Sequence, residues 1–198
     1  EWGETKHIGW KEFIRSYIMD NIPNIPNDNL KDCLVLSNKF EVFKKMPKNG
    51  NVGELGVHFG ETSEWIYKHC NPKNLHLFES NDTLYDDLQR KFPQENIYLE
   101  RGYSFKNLEK FDDNYFDWIF IDSEHDYDTT NKELEISHKK IKDGGFILLH
   151  DYFSYTDPVT GTYGVISATN EFIWKYNYRV RYLSLEQHGF HTIGLSYD

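Results

Sequence analysis

Glu54, Gly56 and Gly60 stand in NVGELGVHFGETSEWIY, where a strand-like run breaks into glycine and then into a helix-like run. Glycine costs backbone entropy and suits places where a side chain would obstruct or where φ must be positive. A ligand lying against the backbone would explain the spacing. Gly60 falls where the next helix should begin, and a helix N-terminus offers free N–H groups and positive potential. Thr62 and Ser63 could cap that helix or hold a carboxylate. Glu54, at the strand end, could accept hydrogen bonds from an ammonium group, directly or through water. An acid beside an anion-seeking helix end suits a zwitterion, whereas pyrophosphate would be repelled by Glu54. The segment also lacks the G-x-G-x-x-G of a dinucleotide fingerprint. Glu79 closes the next apolar run, LHLFES, where an acid can hold two ribose hydroxyls.

A second group of residues lies further along. Asp122 closes FDWIFID, and His150 and Asp151 close GGFILLHD. In a parallel sheet such ends face one crevice, where a buried carboxylate needs a partner. Two carboxylates and an imidazole can ligate a divalent cation: carboxylates and water favour Mg²⁺ or Mn²⁺, and an imidazole admits heavier metals. The alternative is that His150 is a core histidine and Asp151 caps a turn. His125 lies three residues past Asp122, and an imidazole can act as a general base near neutral pH. Alternatively His125 or Asp126 caps the following helix.

These residues need a scaffold that brings strand ends together. From Asn51 onward, strand-like and helix-like runs alternate: NVGELGV, TSEWIYKHC, LHLFES, DTLYDDLQRKF, NIYLER, SFKNLEKF, FDWIFID, TTNKELEISHKKI, GGFILLHD and GVISATNEFIWKY. FDWIFID is nearly continuous in apolar residues, as expected for a central parallel strand. The chain closes with YRVRYLSLEQ and GFHTIGLSY, two strands so closely joined that they should be antiparallel. The pattern predicts an α/β, doubly wound sheet with ligands at the carboxyl ends of the strands, and a terminal hairpin that inserts one reversed strand at an edge. YFSYTDPVTGTYG reads as a long loop on the active edge. Residues 1–50 lie outside the alternation, as a helical extension of the same domain. Trp10 to Met19 has helical spacing, a second helix stops before Pro47, and Trp2, Trp10, Phe13 and Tyr17 could cover the site.

A chain of 198 residues favours one domain with a substantial core, and 17% aromatics argue against disorder. A net charge of −10 disfavours nucleic acid or an anionic membrane as partner. Cys33 and Cys70 form no CxxC and suit a reducing, cytoplasmic setting. No apolar stretch approaches the ~20 residues of a membrane span.

Glu54-x-Gly56-x-x-x-Gly60 resembles motif I of class I S-adenosylmethionine-dependent methyltransferases, and Glu79 resembles their ribose-binding acid. FDWIFIDSEHDYD and GGFILLHDY resemble the fourth- and fifth-strand motifs of small O-methyltransferases related to macrocin and sugar O-methyltransferases. The resemblance covers residues 51–198. It implies a Rossmann-like, mostly parallel seven-stranded sheet whose seventh strand is reversed, and S-adenosylmethionine as cofactor. It places Glu54, Gly56, Gly60, Ser63, Glu79 and Asp122 among the cofactor contacts. Many members carry an acid near the adenine. Here ERGYSFKNL puts Tyr103 against the ring and Ser104 in hydrogen-bonding reach. The implied metal site is Asp122, His150 and Asp151, with His150 where relatives often have an acid. The expected reaction is methyl transfer to a hydroxyl of a small molecule, a sugar or another hydroxyl compound, with Asp122 and His125 as catalytic residues. A homo-oligomer is left open. The rival readings are a nicotinamide-dependent oxidoreductase and a binding protein that keeps the fold without catalysis.

Overall fold

The computed structural model describes residues 22–154, 156–157 and 161–197. The helix expected from Trp10 to Met19, and the aromatic cover from Trp2 to Tyr17, lie outside them. Ten strands are described: β1 (Leu34–Leu36), β2 (Asn51–Leu55), β3 (Asn74–Glu79), β4 (Ile97–Arg101), β5 (Phe116–Ile121), β6 (Ile141–Leu149), β7 (Thr156–Asp157), β8 (Gly161–Thr162), β9 (Arg179–Ser184) and β10 (Ile193–Ser196). The helices are α1 (Lys39–Phe43), α2 (Glu61–Cys70), α3 (Asp82–Lys91), α4 (Ser104–Leu108), α5 (Tyr127–Lys140) and α6 (Val165–Tyr176).

Eight strands form one sheet in the order β1-β9-β10-β6-β5-β2-β3-β4. Only β10 runs against its neighbours β6 and β9; the other pairings are parallel. The fold is the expected Rossmann-like one, with two corrections. The sheet has eight strands rather than seven, because Leu34–Leu36 of the front section pairs with β9. The reversed strand of the terminal hairpin lies inside the sheet, between β6 and β9, rather than at an edge. Residues 34–43 are thus tied into the sheet and its core, not set apart from them.

Side chains alternate between two cores, as a pleat requires. On β5, Trp118 and Phe120 pack with Val42, Phe43, Ile66 and Leu88 from α1, α2 and α3. Ile119 and Ile121 pack with Leu108, Leu134, Ala168 and Phe172 from α4, α5 and α6. Covered on both faces, β5 has no polar face to show, which is why it reads as one apolar run. The order of the strands reverses beside β2, and the crevice at that switch is where an open α/β sheet binds ligands. Past the strand ends, Gly56 N–H bonds to Phe78 O at 3.0 Å, Asp122 N–H to Leu55 O at 2.8 Å, and His150 N–H to Ile121 O at 2.9 Å. These bonds carry the ladder one residue further and fix the three site residues side by side.

Candidate active site

Gly56 turns the chain out of β2 at φ +86°, where a Cβ would lie 2.1 Å from the carbonyl oxygen of Asp122. A side chain is excluded there first by protein backbone, not by a ligand. Gly60 is the N-cap of α2 at φ +72°, with Phe92 and Leu88 where its side chain would be. Ser63 does not cap that helix. Its fully buried hydroxyl donates to Glu54 Oε2 at 2.5 Å. Burial pushes the Glu54 carboxyl up to about 8, with Ser63 pulling it back and Asp122 adding to the rise. At that value the carboxyl is mostly neutral near pH 7, and a cation placed beside it would draw it back toward the charged form. Glu79 is held from three sides: Oε2 accepts from the N–H groups of Val57 (3.2 Å) and His58 (2.8 Å), and Oε1 from Asn81 N–H (2.7 Å).

Two adjoining clefts open over these strand ends. The inner one, about 230 Å³, is lined by Gly56, Glu79, Tyr103, Ser104, Asp122 and Ser123 among others. The outer one, about 350 Å³, is lined by Glu54, Gly56, Thr62, Asp122 and His125 among others. Of the residues expected at a cofactor, Gly60 and Ser63 line neither. They stand behind the loop and hold Glu54 and the start of α2. The others meet at the two clefts.

Asp122 lies at the junction, within a compact cluster. His125 Nε2 is 2.8 Å from Asp151 Oδ2 and 3.5 Å from Asp122 Oδ1. His150 Nδ1 is 3.1 Å from Asp151 Oδ1 and 3.5 Å from Asp122 Oδ1. Asp126, not His125, caps α5, accepting from Thr129 N–H at 3.0 Å. His125 is thereby free to turn inward, where it stacks on Tyr163. Both His125 and Asp151 take left-handed backbone, at φ 59° and 57°. Such strain persists where the surroundings over-determine it, often at functional sites. Burial alone would depress both imidazoles, but their hydrogen bonds to the two carboxylates outweigh it and hold each at about 9. Burial likewise opposes ionisation of Asp122 and Asp151, yet the histidines hold both carboxyls below the ordinary range. The cluster thus favours charged imidazoles beside ionised carboxylates. Charged, the imidazoles are donors, and His125 must lose a proton before it can act as a base.

A family profile described as a methyltransferase domain matches residues 54–152, half of the chain. The chain belongs to the methyltransferase-domain family. No curated protein matches it in sequence. Among solved structures it is similar to an S-adenosylmethionine-dependent methyltransferase from Mesorhizobium loti, at 11% identity and TM-score 0.60 over 79% of this chain and 95% of that one. It is similar to an O-methyltransferase from Bacillus cereus in complex with SAH (S-adenosylhomocysteine), at 13% identity and TM-score 0.61 over 94% and 96%. It is also similar to a tRNA methyltransferase from Bacillus subtilis, at 15% identity and TM-score 0.60 over 82% and 67%. These likenesses establish the fold of S-adenosylmethionine-dependent methyltransferases. Neighbours with such different acceptors do not choose one for this chain.

Other residues surround the strand ends. Lys39 Nζ reaches within 3.8 Å of Asp122 Oδ2 and lies over the Phe120 ring. Its backbone N–H is fixed by the Glu186 carboxylate from the β9–β10 connection. Ser123 and Glu133 join Ser104 in a buried hydrogen-bonded group below the inner cleft. Burial pushes the Glu133 carboxyl up to about 7, with both serine hydroxyls opposing the rise. A third cleft of about 480 Å³ lies beside His150, between Phe40 and Asn38 on one side and Glu186, His188 and Phe190 on the other. No helix among the described residues is long and apolar enough to cross a membrane.

The cluster fits a divalent cation. Asp122, His125 and Asp151 each offer a ligand atom, all within 4.8 Å of one another. Asp151 Oδ1 and His150 Nδ1 are buried and lack an aligned hydrogen-bond partner. In the three-residue group His125 stands with Asp122 and Asp151, and the expected His150 lies beside it, its Nδ1 3.5 Å from Asp122 and 3.1 Å from Asp151.

Proposed function

We propose that this methyltransferase transfers a methyl group from S-adenosylmethionine to a hydroxyl of a small polar molecule. The observation that carries the reading is Asp122: it lines both clefts and lies within 3.5 Å of two imidazoles. When bound, S-adenosylmethionine supplies an electrophilic sulfonium methyl, so the chain's task is to align an oxygen and manage one proton. Glu79 would hold the ribose hydroxyls, and Glu54 would receive the ammonium of the methionine portion. The third cleft, reached past His150, would take the acceptor. Its two phenylalanines and ring of polar groups suit a compact hydroxyl compound, and the net charge of −10 argues against a nucleic acid. Asp122, Asp151 and His150 could hold Mg²⁺, Mn²⁺ or a heavier cation, which when bound would lower the pKa of an acceptor hydroxyl, with His125 left outside the ligand set. His125 in its neutral form would accept the proton, and Lys39 would keep Asp122 ionised. The unpaired thiols of Cys33 and Cys70 fit a cytoplasmic setting.

Incubation with S-adenosylmethionine and a panel of hydroxyl, amine and thiol compounds, read by mass spectrometry, tests the reading. Methylation confined to hydroxyl acceptors, lost with EDTA, restored by Mg²⁺ or Mn²⁺, and not restored in Asp151→Ala, is the expected result. Transfer to amines alone would reject O-methylation, and full activity under chelation would reject the cation.

A further inference from the structure

Glu133 is fully buried on α5, and no lysine or arginine ion pair reaches it among the described residues. Its two oxygens receive three contacts, all from serine hydroxyls. Ser104 Oγ donates to Oε1, and Ser123 Oγ lies 2.8 Å from Oε1 and 2.7 Å from Oε2. Both serines line the inner cleft, whereas Glu133 does not. A hydroxyl has one hydrogen and two lone pairs. With Glu133 ionised, as it is above the value of about 7 to which burial raises it, both hydrogens are committed to the carboxylate and the serines can offer the cleft only lone pairs.

We propose that Glu133 is a positioning residue that fixes Ser104 and Ser123 as acceptors, so that the inner cleft selects a 6-amino purine over a 6-oxo purine. The inference rests on the S-adenosylmethionine reading above and says how this chain reads the base without an acid directly after β4, where ERGYSFKNL has Tyr103 and Ser104. An exocyclic N–H₂ group satisfies the serine oxygens. A carbonyl oxygen in its place would set lone pair against lone pair in a desolvated site, a strong ground for rejection. At the other end of the cleft Glu79 is also acceptor-only, its carboxylate oriented by three backbone N–H groups and suited to hydroxyls. A buried carboxylate is costly unless its hydrogen bonds compensate, and a neutral amide would fill the same space. A glutamine could still take both serine hydrogens on its one amide oxygen, whereas a leucine in that space can take neither.

The test is calorimetric titration of the purified protein at about pH 8.5, where Glu133 is ionised, with S-adenosylhomocysteine and with its 6-oxo counterpart, S-inosylhomocysteine. The wild type should bind the adenine compound about tenfold tighter or more, the factor expected for one hydrogen bond gained against one opposed. In Glu133→Leu neither serine has a carboxylate to take its hydrogen, so both hydroxyls can turn a hydrogen toward the cleft and the ratio should fall to near one. Ser123→Ala and Ser104→Ala, read the same way, should each lower the ratio, and they decide the matter should Glu133→Leu not fold. Equal binding of both compounds by the wild type overturns the proposal while leaving the S-adenosylmethionine reading intact. So does a wild-type ratio in folded Glu133→Leu, or in both serine variants. Binding of neither compound by the wild type overturns both.

Discussion

Gly56→Ala separates a ligand's demand for space from the fold's own. Gly56 has φ +86°, and an added Cβ would lie 2.1 Å from Asp122 O, 2.7 Å from Asp122 C and 2.9 Å from Ser123 Cα. The left-handed backbone costs an L-residue ~1–2 kcal/mol, and forcing extra volume against a packed neighbour adds ~1–3 kcal/mol. The sum, roughly 2–5 kcal/mol, is a large part of the ~5–15 kcal/mol that stabilises a domain. For a chain of this size it should lower Tm by roughly 4–20 °C. Gly144→Ala is the control, since Gly144 has φ +71° and nothing within 4 Å of an added Cβ. It isolates the backbone cost, so the excess loss in Gly56→Ala measures the collision with Asp122. Scanning calorimetry of the three proteins gives both numbers. Because the collision displaces Asp122 and Ser123, binding of S-adenosylhomocysteine should weaken as well. Equal Tm values for Gly56→Ala and Gly144→Ala would refute the reasoning.

Two further perturbations follow from the same geometry. Glu79→Ala removes the acceptor for three backbone N–H groups as well as for a ribose, so S-adenosylhomocysteine should bind roughly 10- to 150-fold more weakly, the span of a hydrogen bond to a charged group. A measurable fall in Tm should accompany it, and unchanged affinity by calorimetry would remove Glu79 from the site. Burial holds His76 at about 4, against 6.5 when unfolded, with its ring stacked on Tyr98. Between those values the unfolded chain binds the extra proton, so stability should fall as pH drops through that window, by up to about 3 kcal/mol. His76→Phe should flatten that part of a urea-unfolding pH series, and an unaltered slope would show that other groups set it.

The sheet was legible because strands covered on both faces are continuous apolar runs, and the abrupt polar ends of FDWIFID and GGFILLHD marked the crevice. β1 was not legible: Leu34–Leu36 is three residues long, largely exposed, and becomes a strand only by pairing with β9. Lys39 and Glu133 were hidden for a related reason. Lys39 sits in a five-residue helix whose position is set by Glu186, far along the chain. Glu133 stands beside Leu134 in a charged helix, and nothing in KELEISHKK distinguishes a buried carboxylate from a solvated one. The one available cue was the lack of an acid after β4, which called for another group near Ser104. Gly56 was read correctly as a position that excludes a side chain, but what excludes it is the Asp122 backbone, a contact between strands more than sixty residues apart.

The central claim is that the paired clefts over β2, β3 and β5 are built for S-adenosylmethionine. Calorimetric titration of the wild-type protein with S-adenosylhomocysteine and, separately, with NAD tests it most directly. Saturable binding of S-adenosylhomocysteine at one site per chain, with no heat from NAD, is the predicted result. Binding of NAD with no heat from S-adenosylhomocysteine would contradict it.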